Sequence, residues 1–131
     1  MTYSKKALNQ YKAVGVDAAV HEASPHQLII MLFDGALTAI VRAKGLIGQK
    51  DMAGKGEQIN KASRILVHLK GSLDLEKGGE VAANLDPLYD YMIQRLAIAN
   101  SELDVVALDE VSKLLGEVKA GWLEIPDEHK K

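Results

Sequence analysis

Ser24-Pro25-His26-Gln27-Leu28-Ile29-Ile30-Met31-Leu32-Phe33 begins with a helix start signal and runs into six consecutive apolar residues. The Ser hydroxyl can cap a free N–H, and Pro at the first helical position lacks a donor that would have no partner there anyway. A helix is expected from Pro25 to about Gly48. Six successive steps of 100° carry Leu28 to Phe33 around every face of that helix, whereas one core needs a stripe only about 100° wide. Part of this apolar surface is expected to face something besides a bundle core: an N-terminal segment, a second subunit or a partner. Tyr91, Ile93, Ile98 and Leu114, which lie off the main stripes, point the same way.

Outward from that stretch, the Gly48, Gly54, Gly56 cluster marks a turn, and a second helix begins in the Asp51 to Glu57 region. Its apolar positions Ile59, Ala62, Leu66, Leu69 and Leu73 recur at spacings of 3, 4, 3 and 4, the repeat of a heptad stripe. The Gly78-Gly79 pair is read as closing it. A third helix carries Leu85, Leu88, Met92, Leu96, Ala99 and Leu103 on one face, and Asp104 caps a fourth with Leu108, Val111, Leu115, Val118, Trp122 and Ile125. Pro87 either starts the third helix behind an Asp86 cap or sits inside one continuous, slightly bent helix, which is the preferred reading. Four helices with short connections predict an all-α, antiparallel up-down four-helix bundle. The expected organisation is one domain over 1–131, with a mobile N-terminal segment at 1–16, a core at 24–125 and a polar tail at 126–131.

Ahead of the bundle, Tyr3, Ala7, Tyr11 and Val14 fall on one side of a helix that precedes Gly15. Two readings stand side by side: a helical ligand carried in cis that covers an apolar groove until a partner helix displaces it, or a fifth helix packed permanently on the bundle.

The 131 residues, 47% hydrophobic and 26% charged, suit one ordinary globular domain. With no Cys, disulfides, thiolate metal sites and Cys nucleophiles are excluded, which fits a reducing cytosol. A formal charge of −2 from 16 basic and 18 acidic residues gives no field for nucleic acid. No apolar run approaches the roughly 20 residues of a membrane span, so no membrane insertion is expected.

Catalytic patterns do not assemble. Di-iron bundles need Glu-x-x-His pairs, and none is present. Asp17 with His21 and Glu22 with His26 stand four apart but straddle the loop and the cap, so no metal site is expected. In His68-Leu69-Lys70-Gly71-Ser72 the letters approach those of a histidine phosphotransfer domain. There the Lys follows the His by three residues; here it follows by two, roughly 200° around the helix, and cannot support a phosphate on His68. Gly54-Lys55-Gly56 lacks the spacing of a phosphate loop. Neither an enzyme nor a cofactor is expected.

Several linked stretches then become recognisable: Ala23 to Ile29, Met31-Leu32-Phe33-Asp34-Gly35-Ala36, Glu76-Lys77-Gly78-Gly79-Glu80, Asn84-Leu85 and Leu88-Tyr89-Asp90-Tyr91-Met92. In this order they resemble the flagellar export chaperone family FliS, from about Tyr11 to Trp122. The resemblance implies a cytosolic bacterial chaperone, not an enzyme, that binds the disordered C-terminal segment of flagellin, prevents its premature polymerisation and keeps it competent for type III export. The export apparatus and an anti-sigma factor are further implied partners, and the chaperone would be a monomer or a weak homodimer. Leu8 and Tyr11 match the family's N-terminal apolar and aromatic positions. Together with Val14, Leu28, Met31, Phe33, Asp34, Tyr89, Tyr91 and Ile98 they make up the expected client-binding set. Asp34 and Gly35 have an alternative role in close helix packing, since a mid-helix Gly costs about 1 kcal/mol relative to Ala and needs a reason. The competing function is a regulatory or signalling bundle that binds an anti-sigma factor or relays phosphate, without flagellin as its main client.

Overall fold

Four helices account for nearly all of residues 24–73, 76 and 79–124, the part of the chain that the computed structural model describes. Helix α1 spans Pro25–Gly48, α2 Met52–Gly71, α3 Gly79–Glu102 and α4 Val105–Glu124. Each packs on the next, and α4 returns against α1, which closes a square, up-down ring; among the described residues the α1–α2 seam is the most extensive. The expectations for Leu8, Tyr11, Val14, Asp17, His21, Glu22, the 1–16 segment and the 126–131 tail fall outside the described residues.

Helix α1 starts at the expected place with a reciprocal cap. The Gln27 N–H donates to Ser24 Oγ at 3.2 Å, and the Ser24 N–H donates to Gln27 Oε1 at 3.0 Å, so two end-of-helix donors find partners at once. The His26 ring lies 5.7 Å from that of Trp122. This contact joins the first turn of α1 to the last turn of α4.

Most of the stripe positions predicted from spacing form the core; Leu103 does not, because α3 ends at Glu102 and Leu103 sits in the turn, 44% exposed, while Ile125 falls outside the described residues. Leu32, Ile40, Ile59, Leu66, Met92, Leu96, Leu108, Val111 and Leu115 are fully buried, each stabilising the fold by about 1.5–3 kcal/mol. The surplus on α1 is smaller than the sequence suggests. Leu28, Ile29, Leu32 and Phe33 all enter the core, and only Ile30 and Met31 remain half-buried. A helix wedged between two neighbours buries more than a single stripe. Ile93 and Leu114 likewise pack against the core rather than standing free.

Helix α2 ends earlier than Gly78-Gly79. It stops at Gly71, where the Ser72 hydroxyl donates to the His68 carbonyl at 2.9 Å and the Leu73 N–H donates to the Lys70 carbonyl at 3.1 Å. The side-chain bond and the tightened last turn satisfy carbonyls that would otherwise be orphaned. Gly79, at φ +55°, opens α3 instead. Pro87 lies inside a continuous α3, exposed on its outer side. Asp86 caps nothing there, because its carboxylate is 3.4 Å from Lys70 Nζ on α2.

Both turns at the α1–α2 and α3–α4 junctions are built alike. Lys50 and Leu103 adopt left-handed backbone, at φ 62° and 53°. The next residue's N–H reaches back five positions, from Asp51 to Leu46 at 2.9 Å and from Asp104 to Ala99 at 3.2 Å. The same Asp side chains then cap the following helices, accepting from Gly54 at 2.9 Å and Ala107 at 3.1 Å. One aspartate therefore ends one helix and begins another.

Candidate functional site

The exposed features fall on two opposite sides of the ring. Along the α3–α4 seam, Tyr91 is 42% exposed, and its hydroxyl donates to Glu110 Oε2 at 2.7 Å. Arg95 Nε donates to the other carboxylate oxygen at 2.7 Å. The Tyr91 hydrogen bond and then that of Arg95 hold the Glu110 carboxyl below its ordinary range, while the bond to Glu110 raises the Tyr91 phenol. Ile98, seven residues beyond Tyr91, is half-buried on the outer side of α3, and Val106, one turn before Glu110, is 73% exposed. The seam thus alternates apolar patches with one charge-anchored tyrosine. Such a surface can receive an amphipathic segment.

On the α1–α2 side, Met31, Asp34, Gly35, Thr38, Ala39, Arg42 and Lys61 line a groove of about 310 Å³. Gly35 has the close approach expected of it: a Cβ there would stand 3.3 Å from Ile65 Cδ1. The absent side chain lets α1 and α2 pack closely and lowers the groove floor. Asp34 is exposed and accepts from Lys119 Nζ of α4 at 2.6 Å.

Of the expected client-binding residues, Met31 and Asp34 meet in the α1–α2 groove, and Tyr91 and Ile98 share the outer part of α3. Leu28, Phe33 and Tyr89 are core side chains, exposed by 3%, 2% and 3%. As packed, a partner reaches them only by displacing neighbouring side chains or a helix. Adjacent tyrosines point in different directions, as helical spacing requires: Tyr89 inward, Tyr91 outward. Sequence reading overlooked Thr38, Arg42 and Lys61 in the groove and Arg95, Val106 and Glu110 on the seam. The helical register available for Met31 and Gly35 extends to Thr38 and Arg42 at steps of 3 and 4. Lys61 on α2 emerges only once the two helices are docked.

The chemical exclusions concern the described residues. No group of His, Asp and Glu among them could hold a metal ion, and no helix is long and apolar enough to cross a membrane. Lys70 is committed to Asp86 and Asp90 of α3, at 3.4 and 3.5 Å. It stands on another side of α2 from His68, which agrees with the spacing argument against phosphotransfer.

Comparison with known proteins decides the family. A family model described as "Flagellar protein FliS" matches residues 7–129. The chain belongs to the FliS family. It is 49% identical over 124 residues to "Flagellar secretion chaperone FliS" of Salmonella typhimurium, covering 94% of this chain and 92% of that protein. It is 48% identical to "Flagellar secretion chaperone FliSB" of Pseudomonas aeruginosa, over 92% of this chain and 95% of the relative. The Vibrio cholerae relative is 38% identical, over 94% and 90% of the two chains. FliS is a family of chaperones, not of enzymes.

Proposed function

We propose that this chain is a flagellar export chaperone that binds the C-terminal segment of flagellin in the bacterial cytosol, prevents its premature polymerisation and keeps it competent for type III export. The observation that carries the reading is the match, over more than nine-tenths of the chain, to proteins named as flagellar secretion chaperones. The shape of the surface supports it. A bundle whose core is already filled still presents Tyr91 and Val106 on one side and the Met31 groove on the opposite side. A compact partner would meet only one of these, whereas a disordered segment that folds on binding can wrap both. Coupled folding also sacrifices ordering entropy, so a large interface stays releasable.

In this reading residues 1–16 cover part of the apolar surface until the client displaces them, and the chaperone works as a monomer or weak homodimer within a single domain. Calorimetric titration with the C-terminal segment of the same organism's flagellin tests it. Saturable 1:1 binding, with a gain of helix in circular dichroism of the mixture, is the expected result. Absence of binding at micromolar concentration would remove flagellin as client and move the anti-sigma factor to the front.

A further inference from the structure

The α1–α2 groove contains a feature that the apolar account of client binding does not use. Its floor is low, because position 35 has no side chain and positions 38 and 39 have short ones. Two cations rise from opposite walls, Arg42 from α1 and Lys61 from α2. Neither forms an ion pair or a side-chain hydrogen bond within the described structure, whereas Lys44, Lys70, Arg95 and Lys119 are all engaged. The one carboxylate on the groove's lip, Asp34, is held by Lys119 on its α4 side at 2.6 Å and does not neutralise the pair across the groove.

From this geometry we infer that the groove is a charge-selecting subsite: it takes an acidic stretch of the client polypeptide, with a small apolar side chain on the Gly35–Ala39 floor and a carboxylate between Arg42 and Lys61. The inference rests on the flagellin reading above. Charge complementarity chooses the occupant. Two unpaired cations flanking a narrow apolar floor match one or two carboxylates beside an apolar residue, and a guanidinium holds a carboxylate through parallel N–H donors. A long polyanion is a poor match, because the chain as a whole carries a net charge of −2 and offers it no attractive overall field. The division of labour follows: the α3–α4 seam supplies apolar area, while the α1–α2 groove fixes the register of the client along the chaperone. Electrostatic pairs of this kind contribute more to specificity than to bulk affinity.

The test is titration calorimetry of the flagellin C-terminal segment against the full chain, an Arg42→Glu/Lys61→Glu variant and a charge-matched Arg64→Glu/Lys113→Glu control. Arg64 and Lys113 are exposed and do not line the groove, so the control carries the same change in net charge. A fourth arm, Thr38→Trp, fills the groove without altering charge. Thermal melts of all variants are expected to stay close to that of the parent, since the substituted side chains are not core. Affinity is expected to fall at least tenfold in the groove charge variant and in Thr38→Trp, and less than threefold in the control. The groove charge variant should also lose part of the salt dependence of binding. A parent that binds and a groove variant that binds equally well would overturn the subsite and leave the chaperone reading standing. A parent that does not bind would overturn both.

Discussion

The end of the bundle that holds Gln49 to Asp51 and Glu102 to Asp104 is built differently from the end that holds Ser24, Gly71 and Trp122. At the first, Asp51 and Asp104 each close one helix and cap the next. Buried Lys55 of α2 crosses to α3 there, donating to the Asn100 carbonyl at 2.9 Å and to its Oδ1 at 2.8 Å, and Lys44 pairs with Asp109 of α4. Toward the other end the ties between helices include the Lys70 pairs, about a third or more exposed, the Lys119–Asp34 pair and the His26–Trp122 ring contact. Apolar stripes tolerate sliding by whole turns, because every heptad looks alike. A lysine with two fixed acceptors does not, so helix register is set at the first end and passed along the stripes to the second.

That contrast can be broken most directly at Lys55. Lys55→Ala removes a buried donor and leaves the Asn100 acceptors without it, a loss of about 2–3 kcal/mol. Lys70→Ala at the opposite end should cost less, since exposed pairs are worth little. Urea unfolding of both variants measures the difference, and equal losses would dissolve the distinction between the ends. Asp51→Ala and Asp104→Ala come next, at about 1 kcal/mol each. Their melting temperatures should fall together, because the two turns share one construction; a loss confined to one of them would show that the likeness is only geometric.

The smallest effect lies midway along the α3–α4 seam. Hydrogen bonds from Tyr91 and Arg95 lower the folded-state pKa of Glu110. A depressed carboxylate pKa contributes stability that is fully present above the unfolded value and is lost as pH falls through the folded one. Glu110→Gln should therefore be less stable than the parent near pH 7, and the gap should begin to narrow only as pH falls below about 4.5, the ordinary value for this group, closing once pH is below the lowered folded value. Denaturant midpoints followed from pH 7 downwards test this, and a gap that does not narrow at all on acidification would assign the effect to packing instead of charge.

Much of the architecture could be read from spacing alone. Ser24-Pro25 marks the start of α1 within a residue, and the 3- and 4-residue steps select Leu66, Met92, Leu108 and Leu115 for the core, because helical periodicity is a local property of the chain. The end of α2 misleads, since Gly78-Gly79 looks like a stop while the operative one is a Ser72 hydroxyl turned back on His68, a bond that depends on the rotamer. On the functional side, Tyr91 could be anticipated because two tyrosines two apart cannot both point inward. Leu28 and Phe33 could not be separated from Met31 by sequence: which face of a wholly apolar run is covered depends on where α2 and α4 dock. The groove cations belong to helices that meet only in the fold, 19 positions apart between Arg42 and Lys61, and no local pattern joins them.

The twin aspartate turns also bear on the order of events during synthesis. Short connections between adjacent antiparallel helices keep contacts local, and local contacts form early and fast. Once residues up to Gly71 have left the ribosome, α1, the first turn and α2 are all available, and every residue lining the groove lies between Met31 and Lys61. The groove is thus encoded in the earlier-made hairpin alone, whereas the seam with Tyr91 and Val106 waits for the later one. The later-made hairpin, closed by the same device at Asp104, arrives to cover its inner apolar face.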